Sequence, residues 1–116
     1  MNSTTIVYKI CTRAEWVEAC RAGAFAGSAD DTRDGFIHLS ARHQLAGTAA
    51  KHFRRQADLV LVAFEAERLG PKLVWEPSRG GDLFPHLYAE LPTSAALWVK
   101  PLALRPDGVP ALPENL

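Results

Sequence analysis

The sequence predicts one α+β domain that spans residues 1–116. Its predicted elements run strand, helix, strand, helix and then mostly strands, an order that favours α+β over a doubly wound α/β sheet. The segment from Leu59 to Phe64 is continuously apolar, which is typical of a central strand buried on both faces. A hydrophobic content of 47% over 116 residues is enough for a single core and leaves little room for a second domain.

The charge balance and the hydropathy pattern exclude several classes of partner. Thirteen basic residues balance thirteen acidic ones, whereas a nucleic-acid-binding domain generally carries a positive excess. No apolar stretch approaches the about 20 residues needed to span a bilayer. The N-terminal residues lack the basic and apolar regions of a signal peptide. We therefore expect a cytoplasmic monomer or weak homodimer that binds neither membranes nor nucleic acid.

The first half of the chain begins with a strand and a capped helix. Ile6–Ile10 is rich in β-branched and aromatic residues and predicts the first strand. Thr12 and Glu15 match the capping-box pattern of a helix start, and we expect a helix from Arg13 to Ala22. Three aspartates lie between Gly27 and Gly35, but their spacing does not fit a calcium-binding loop. We therefore expect a solvated polar turn there.

A short strand and a second helix are expected next. Phe36–Leu39 has the alternating character of a strand, and Ser40 follows it in the position of a helix N-cap. We expect the helix to run from Ala41 to Phe53. Two rows at spacing four lie along it. The apolar row consists of Leu45, Ala49 and Phe53. The polar row suits the wall of a pocket as well as a solvent face, and it consists of Gln44, Thr48 and His52.

The second half of the chain is predicted to contain mostly strands. Leu73–Glu76 reads as a strand that stops at Pro77. A further short strand is expected between Leu87 and Leu91. The last strand is expected from Ala95 to Leu104, and Pro101 favours an edge position for it because proline cannot donate to a sheet ladder.

The cysteines and histidines do not suggest a metal site. Cys11 and Cys20 form no C-x-x-C pair, and we expect a free thiol at the end of a strand and another inside a helix. The four histidines show no spacing typical of metal ligation. We therefore expect no bound metal.

The segment from Trp75 to Tyr88 reads W-E-P-S-R-G-G-D-L-F-P-H-L-Y and is the richest in chemically capable residues. Prolines and paired glycines interrupt it, so we expect a shaped loop and not a regular central strand. Loops on a rigid scaffold are common positions for binding groups. We therefore expect this segment to carry the functional site.

Arg79, Gly80 and Gly81 are predicted to bind an anion. Glycines let backbone amides approach a ligand closely, and arginine pairs bidentately with phosphate or carboxylate. The motif is neither a Walker loop nor a Rossmann fingerprint. The alternative is a structural arginine that forms a salt bridge with Asp82 or Glu76.

Two residues are candidates for catalysis, Glu76 and His38. A carboxylate among apolar neighbours can have a raised pKa and serve as an acid or base, and it can also hold a ribose hydroxyl or stabilise a cationic centre. The alternative for Glu76 is a structural pair with Arg79. His38 precedes Ser40 and the expected helix N-terminus, where it could donate to a ribose or phosphate oxygen. The alternative for His38 is a hydrogen-bonded histidine of the core or its rim.

His86 and Tyr88 are expected to share one face of an extended segment. Both could line the same cleft, and Phe84 or Tyr88 would provide a surface on which a ring can stack. We predict both as ligand-binding residues, together with Ser40.

Several of these motifs together resemble the small bacterial family called domain of unknown function 952. They are D-G-F-I-H-L-S from Asp34, the strand from Asp58, the long motif from Trp75 to Pro92, and Gln44, Thr48, His52 and Phe53. The resemblance implies an ADP-ribosyltransferase-like fold, in which two small, mostly antiparallel sheets and two helices from the N-terminal half flank a cleft for a nicotinamide dinucleotide. It also implies a ribose- or phosphate-binding role for His38 and a ribose- or acceptor-orienting role for Glu76.

The resemblance leads to a functional expectation. We expect an NAD-, nucleotide- or phosphate-binding protein with glycosyl or phosphoryl transfer activity. The S-T-S segment and paired-glutamate loop of the better-known transferases are not found in this sequence. The alternatives are a non-catalytic binding module for a small anionic metabolite or a partner protein, and a purely structural loop. We expect Trp75–Tyr88 as one wall of the cleft, Phe36–Ser40 as the opposite wall, and the helix after Ser40 as its floor.

Overall fold

The computed structural model of the chain describes residues 4–116. The expectation that no signal peptide is present concerns in part residues 1–3, which lie outside the described residues. Within residues 4–116, no helix is both long enough and apolar enough to cross a membrane.

The described residues contain three α-helices and nine strands. The helices are α1 (Arg13–Ala22), α2 (Ala29–Asp34) and α3 (Leu45–His52). The strands are β1 (Ile6–Thr12), β2 (Ala24–Phe25), β3 (Ile37–His38), β4 (Ser40–Ala41), β5 (Leu59–Glu65), β6 (Leu73–Pro77), β7 (Leu83–Leu87), β8 (Leu91–Pro92) and β9 (Ala96–Leu102). Short 3-10 turns lie at Arg42–Gln44, Ala66–Leu69, Arg79–Gly81 and Thr93–Ala95.

The strands form three antiparallel sheets. The largest has the order β4-β1-β5-β9, the second β3-β7-β6, and the smallest pairs β2 with β8. The α+β prediction is therefore confirmed, but residues 4–116 form three sheets and three α-helices where two of each were expected. The predicted central strand is confirmed as β5, which is paired on both sides and buried from Leu59 to Phe64.

The large sheet has a hydrophobic core on each face. Alternate residues of β5 point to opposite faces, so Val62 and Leu61 belong to different core clusters. Trp16 of α1 packs in the first cluster, and Leu45 of α3 packs in the second. Each fully buried side chain of this size stabilises the fold by about 1.5–3 kcal/mol, so both helices are held on the sheet mainly by apolar burial.

The predicted start of α1 is confirmed. Thr12 Oγ1 accepts from the Glu15 amide at 3.0 Å, and Glu15 Oε1 accepts from the Thr12 amide at 2.8 Å. This reciprocal pair satisfies two amides that the helix itself leaves without partners. Cys11 and Cys20 are both free thiols, the first buried in β1 and the second exposed on α1.

The expectation of a solvated turn between Gly27 and Gly35 is wrong, because this segment forms α2. Ser28 caps the helix, accepting from the Asp31 amide at 3.3 Å, while Asp31 Oδ2 accepts from the Ser28 amide at 2.9 Å. The sequence carries this S-x-x-D signal, with aspartate in the place of the usual glutamate. Gly35 ends the helix with a φ of 85°, a conformation that favours glycine.

The expectation that Ser40 caps a helix beginning at Ala41 is also wrong. Ser40 lies in β4 opposite Tyr8 of β1, and α3 begins only at Leu45. Pairing with β1 holds Ser40 and Ala41 extended, and the Gln44 side chain accepts from the Ala41 amide at 2.9 Å. The chain therefore passes from the three-stranded sheet to the four-stranded sheet before it turns into the helix.

The segment from Trp75 to Tyr88 is a β-hairpin and not an irregular loop. Its second strand, β7, lies at the centre of its sheet, against the expectation. The Pro85 carbonyl accepts from the Leu39 amide at 3.0 Å. In an antiparallel strand, the N–H and C=O of one residue point to the same neighbouring strand. The N–H that Pro85 lacks would therefore point towards Leu39, which lies one residue beyond the paired residues of β3. Proline therefore costs the ladder little here.

The expected strand from Leu87 to Leu91 is wrong in its bounds. β7 ends at Leu87, and the next strand is the two-residue β8, which pairs with β2. The last predicted strand is confirmed as β9, which lies at an edge of the large sheet, with Pro101 opposite Val60.

Candidate functional site

A cavity of about 240 Å³ lies between the four-stranded and the three-stranded sheet. Side chains from β1, α2, β3, β4, α3, β7 and the β6–β7 turn line it. Four of the predicted site residues are among the lining residues, namely His38, Ser40, Arg79 and His86. The other four, Glu76, Gly80, Gly81 and Tyr88, are not.

His38 and His86 belong to the same wall of the cavity. They are cross-strand partners in β3 and β7, and their ring centroids are 5.8 Å apart. Phe36 stacks on His86 at 4.0 Å and contacts His38 at 4.7 Å. The expectation that Phe36–Ser40 and Trp75–Tyr88 form opposite walls is therefore wrong, because β3 and β7 are neighbours in one sheet. The facing wall comes from β1 and α3.

Glu76 lies outside the cavity lining and forms a hydrogen bond with the His86 ring. Glu76 Oε1 is 2.8 Å from His86 Nδ1 and accepts from the Tyr88 hydroxyl at 2.7 Å. These bonds, from Tyr88 first and His86 second, lower the pKa of Glu76. The prediction of a raised pKa is thus wrong, since the carboxylate receives hydrogen bonds instead of lying among apolar neighbours.

The arrangement leaves one nitrogen of His86 available. An ionised Glu76 can only accept, so His86 Nδ1 is the nitrogen that carries the proton. Nε2 has no hydrogen-bond partner among residues 4–116, and His86, although 5% exposed, lines the cavity. His86 therefore lines the cavity with Nε2 free of hydrogen bonds within residues 4–116 and with its ring orientation fixed by Glu76.

His38 is held by two carboxylates of α2. Its Nδ1 is 2.6 Å from Asp31 Oδ1, and its Nε2 is 2.9 Å from Asp34 Oδ2. Both ring nitrogens are thus occupied, and a ligand must displace the partly exposed Asp34 to bond to His38. These two contacts fix α2 against β3 through the His38 side chain.

A buried ion pair completes this contact. Lys9 Nζ donates to Asp31 Oδ2 at 2.8 Å and to the His38 carbonyl at 3.0 Å. Burial raises the pKa of Asp31, but the hydrogen bond from His38 and the charge of Lys9 outweigh burial and hold it well below its usual range. Asp31 is therefore ionised, and the pair ties α2 to β1 at the floor of the cavity.

Arg79 lies on another side of the cavity without a carboxylate partner among residues 4–116. Its terminal nitrogens make only long bonds of 3.4 Å to Thr48 Oγ1 and the Gln44 carbonyl. Its guanidinium carbon lies 4.8 Å from the centroid of the Phe84 ring. The structural alternative, a salt bridge to Asp82 or Glu76, is not the arrangement found.

Both of those carboxylates have other partners. Asp82 Oδ2 accepts from the Gln44 side chain at 2.8 Å and is 3.1 Å from His43 Nε2. These bonds, from Gln44 first, lower the pKa of Asp82. Glu76 is engaged with His86 and Tyr88, as described above. The guanidinium charge of Arg79 therefore remains available to an anion.

Two sets of glycines position Arg79. Gly80 and Gly81 have φ values of 69° and 82° in the hairpin turn, where they reverse the chain directly after Arg79. Gly47 of α3 provides the surface on which the guanidinium rests, since a Cβ there would lie 3.0 Å from the Arg79 Nη2 atom. The turn glycines thus act through Arg79 and not by lining the cavity themselves.

Several lining residues were missed or only partly recognised from the sequence. Thr48 and His52 of the polar row line the cavity, as the helical spacing suggested. Lys9, Asp31 and Asp34 were not identified, because they meet only when α2 packs on β1 and β3. The S-x-x-D cap was the available signal for α2, but no local pattern marks Lys9 as a buried lysine.

The chain is a small α+β domain with a polar cavity between two of its sheets. Arg79 lines this cavity without a carboxylate partner in residues 4–116, and His86 also lines it, with its ring hydrogen-bonded to the Glu76 carboxylate. The chain belongs to the family described as protein of unknown function (DUF952), whose model matches residues 10–99. This confirms the family resemblance read from the motifs.

Solved structures of one bacterial protein are similar to this chain. The crystal structure of protein CC0527 from Caulobacter crescentus is 57% identical, with 93% of this chain and 95% of that chain covered and a TM-score of 0.91. Its solution NMR structure is 56% identical, with 96% of each chain covered and a TM-score of 0.85. No curated protein matches the chain.

Proposed function

We propose that this chain binds a nucleotide or a related phosphate ligand in the cavity, with Arg79 as the residue that holds the phosphate. The observation that carries the proposal is the Arg79 guanidinium, which lines the cavity and has no carboxylate within salt-bridge distance in residues 4–116. A planar guanidinium matches the geometry of phosphate, and hydrogen bonds between charged groups are about twice as strong as neutral ones. Ser40 and Thr48 add hydroxyl groups beside it.

The size of the cavity favours a small ligand. Its volume of about 240 Å³ lies just below the range of about 300–1,000 Å³ that is usual for small-molecule sites. A mononucleotide or a sugar phosphate matches this volume, and a dinucleotide such as NAD would extend beyond it over the protein surface. We therefore place the phosphate-bearing half of such a ligand inside the cavity.

We propose that the chemistry is glycosyl or phosphoryl transfer with His86 as the general base. His86 Nε2 would take the proton of the attacking hydroxyl or water as its oxygen bonds to the ribose carbon or the phosphorus atom. The bond from that atom to the leaving group, nicotinamide in the case of NAD, would break in the same step, and Glu76 would stabilise the resulting imidazolium through Nδ1. Glu76 is then a positioning residue that acts through His86, and Tyr88 positions Glu76 in turn. A general base positioned in this way typically accelerates the reaction by about 10²–10⁴-fold.

We also propose that the cavity corresponds to an ADP-ribosyltransferase-like cleft. Support comes from the cavity lining, to which two antiparallel sheets contribute. The four-stranded sheet contributes residues of β1 and β4, and the three-stranded sheet contributes residues of β3 and β7. The family resemblance read from the sequence adds to this. A ligand carrying an ADP-ribose group is the chemical class that this fold would accept.

Calorimetric titration tests the binding proposal. AMP, ADP-ribose and NAD are added in turn to the wild-type chain, to Arg79→Ala and to the control Arg21→Ala, whose exposed guanidinium pairs with Glu18 on α1. We expect binding of at least one ligand, a loss of about tenfold or more in Arg79→Ala, and no change in Arg21→Ala. Absence of binding at millimolar ligand to the folded wild type contradicts the proposal.

Product analysis tests the catalytic part. Wild type and His86→Asn are incubated with NAD, and released nicotinamide and modified protein are measured. Turnover that His86→Asn abolishes while binding persists supports the assignment. Binding without any turnover would leave a non-catalytic module for an anionic metabolite and would contradict the role given to His86.

A further inference from the structure

His52 and Arg79 lie at one end of the cavity as two side chains able to carry positive charge. Both line the cavity, and His52 follows Thr48 by one helical turn on the same face of α3. Thr48 Oγ1 in turn lies 3.4 Å from both terminal nitrogens of Arg79. Like Arg79, His52 has no carboxylate within salt-bridge distance in the described part of the chain.

We propose that this end of the cavity binds the terminal phosphate monoester of a nucleotide or sugar phosphate, and that binding is coupled to the uptake of a proton by His52. The proposal rests on the proposed function and specifies which phosphate chemistry the site takes. A phosphate monoester carries about two negative charges at neutral pH, since its second pKa is about 6. Two positive charges together with the Thr48 and Ser40 hydroxyls suit such a dianion better than a singly charged carboxylate.

The electrostatics of the unliganded site support the coupling. Partial burial lowers the pKa of His52 below its ordinary value of 6.5, and the charges of Arg79, Lys51 and His38 lower it further, while Asp30 opposes them. These groups face His52 from the β6–β7 turn, α3, β3 and α2. His52 is therefore mostly neutral at neutral pH in the free protein.

A bound dianion reverses the sign of this local field. It favours the charged imidazolium and raises the pKa of His52 in the complex above its value in the free protein. The contribution of His52 to affinity then increases as the pH falls through the pKa of His52 in the complex, and it levels off below the pKa of His52 in the free protein. Protonation of the phosphate itself, whose second pKa is about 6, opposes this gain at lower pH. Proton uptake by His52 is greatest between the two pKa values of His52.

Calorimetry in two buffers of different ionisation enthalpy measures the proton count directly. AMP is titrated at about pH 7 into wild type, His52→Asn and the control His43→Asn. His43 is exposed and pairs with Asp82 outside the cavity lining. ADP-ribose, which has a pyrophosphate and no monoester, is titrated in parallel. At this pH AMP is already mostly dianionic, since its second pKa is about 6, so it exchanges few protons of its own with any of the three proteins.

We expect wild type and His43→Asn to take up the same fraction of a proton with AMP, and His52→Asn to take up less. The His52→Asn change should weaken AMP binding by about two- to fivefold near pH 6 and have little effect near pH 8, as expected for a partly exposed charge pair. Thermal denaturation verifies that each variant is folded.

Three results would overturn the inference. Equal proton counts in wild type and His52→Asn with AMP bound remove the coupling and leave the proposed function intact. Binding of ADP-ribose but not AMP, dependent on Arg79, removes the monoester assignment alone. Failure of every probe to bind the folded wild type overturns the inference and the proposed function together.

Discussion

The substitution Gly47→Ala separates ligand binding from stability more sharply than any loss of a charged group. Gly47 lies in the first half of α3, is exposed, and has no left-handed φ, so alanine is compatible with its backbone. Alanine in a helix is more favourable than glycine by about 0.5–1 kcal/mol. Because Gly47 lies near the start of the helix, we use the lower end of this range. We expect the free energy of unfolding of the variant to rise by about 0.5 kcal/mol and its melting temperature to rise by about 2–4 °C.

The same methyl group disturbs the anion site. Its carbon would lie 3.0 Å from Arg79 Nη2 and 3.5 Å from the guanidinium carbon, so the guanidinium must move away from α3. A hydrogen bond to a charged group contributes about 1.5–3 kcal/mol. The guanidinium must move by a few tenths of an ångström, so the displaced arginine keeps most of this free energy, and we expect phosphate-ligand affinity to fall by about two- to fivefold. A gain in stability with a loss of binding is the signature of this contact.

A double-mutant cycle isolates the mechanism. Titration calorimetry with AMP or ADP-ribose is performed on wild type, Gly47→Ala, Arg79→Ala and the double variant, with urea unfolding of each. If Gly47→Ala acts through Arg79, it has no further effect on affinity in the Arg79→Ala background. Unchanged affinity in Arg79→Ala, or an equal loss from Gly47→Ala in both backgrounds, would refute the placement of Arg79 as the ligand-binding group that rests on Gly47.

Four further predictions concern other parts of the chain. Lys9→Met removes the buried cation that pairs with Asp31 and leaves the carboxylate with only its hydrogen bonds to Ser28 and His38. We expect a destabilisation of about 3–5 kcal/mol in urea unfolding. A loss below about 1 kcal/mol, the upper value for an exposed pair, would contradict the buried ion pair. Because the pKa of Asp31 is lowered, its contribution to stability is present above about pH 4 and lost as the pH falls further, which acid titration by circular dichroism measures. Glu76→Gln should keep ligand affinity within about twofold but reduce turnover by about tenfold or more, and equal turnover would exclude Glu76 as the group that orients His86. Burial raises the pKa of the Cys11 thiol to about 12, so a thiol reagent should modify exposed Cys20 alone in the native chain, and rapid reaction of both thiols would contradict this.

The parts of the fold that could be predicted depend on local signals. The helix Arg13–Ala22 was predicted with its bounds because a capping box at Thr12 and a glycine after Ala22 both act within one turn. The buried strand β5 was predicted because its apolar run has no other stable position. Both features are set by neighbouring residues and by burial, which the sequence displays directly.

The errors arise where tertiary pairing overrides local preference. Ser40 has the residue type of an N-cap, but pairing with β1 draws it into a strand. Pro85 argues against a central strand, yet its missing N–H falls beyond the paired part of β3. The hairpin register in turn places His86 opposite His38 and Val74, and no local pattern encodes that register.

The candidate site could be located but not assembled from the sequence. Arg79 and His86 were selected by residue type, and both line the cavity. The roles of Glu76 and His38 could not be read, because each depends on partners brought by other strands and by α2. Glu76 contacts the ring of His86 and not the cavity, and His38 is already held by two aspartates.

The most direct test of the central claim is an NMR titration of the ¹⁵N-labelled chain with ADP-ribose and AMP, with observation of the arginine side-chain Nε–Hε signals. Binding at the proposed site predicts saturable shifts of the Arg79 signal and of the Thr48 and His86 amides, with the Arg21 signal unchanged. Saturable shifts confined to residues outside the cavity, or no shifts at millimolar ligand, would contradict the claim that Arg79 holds a phosphate there.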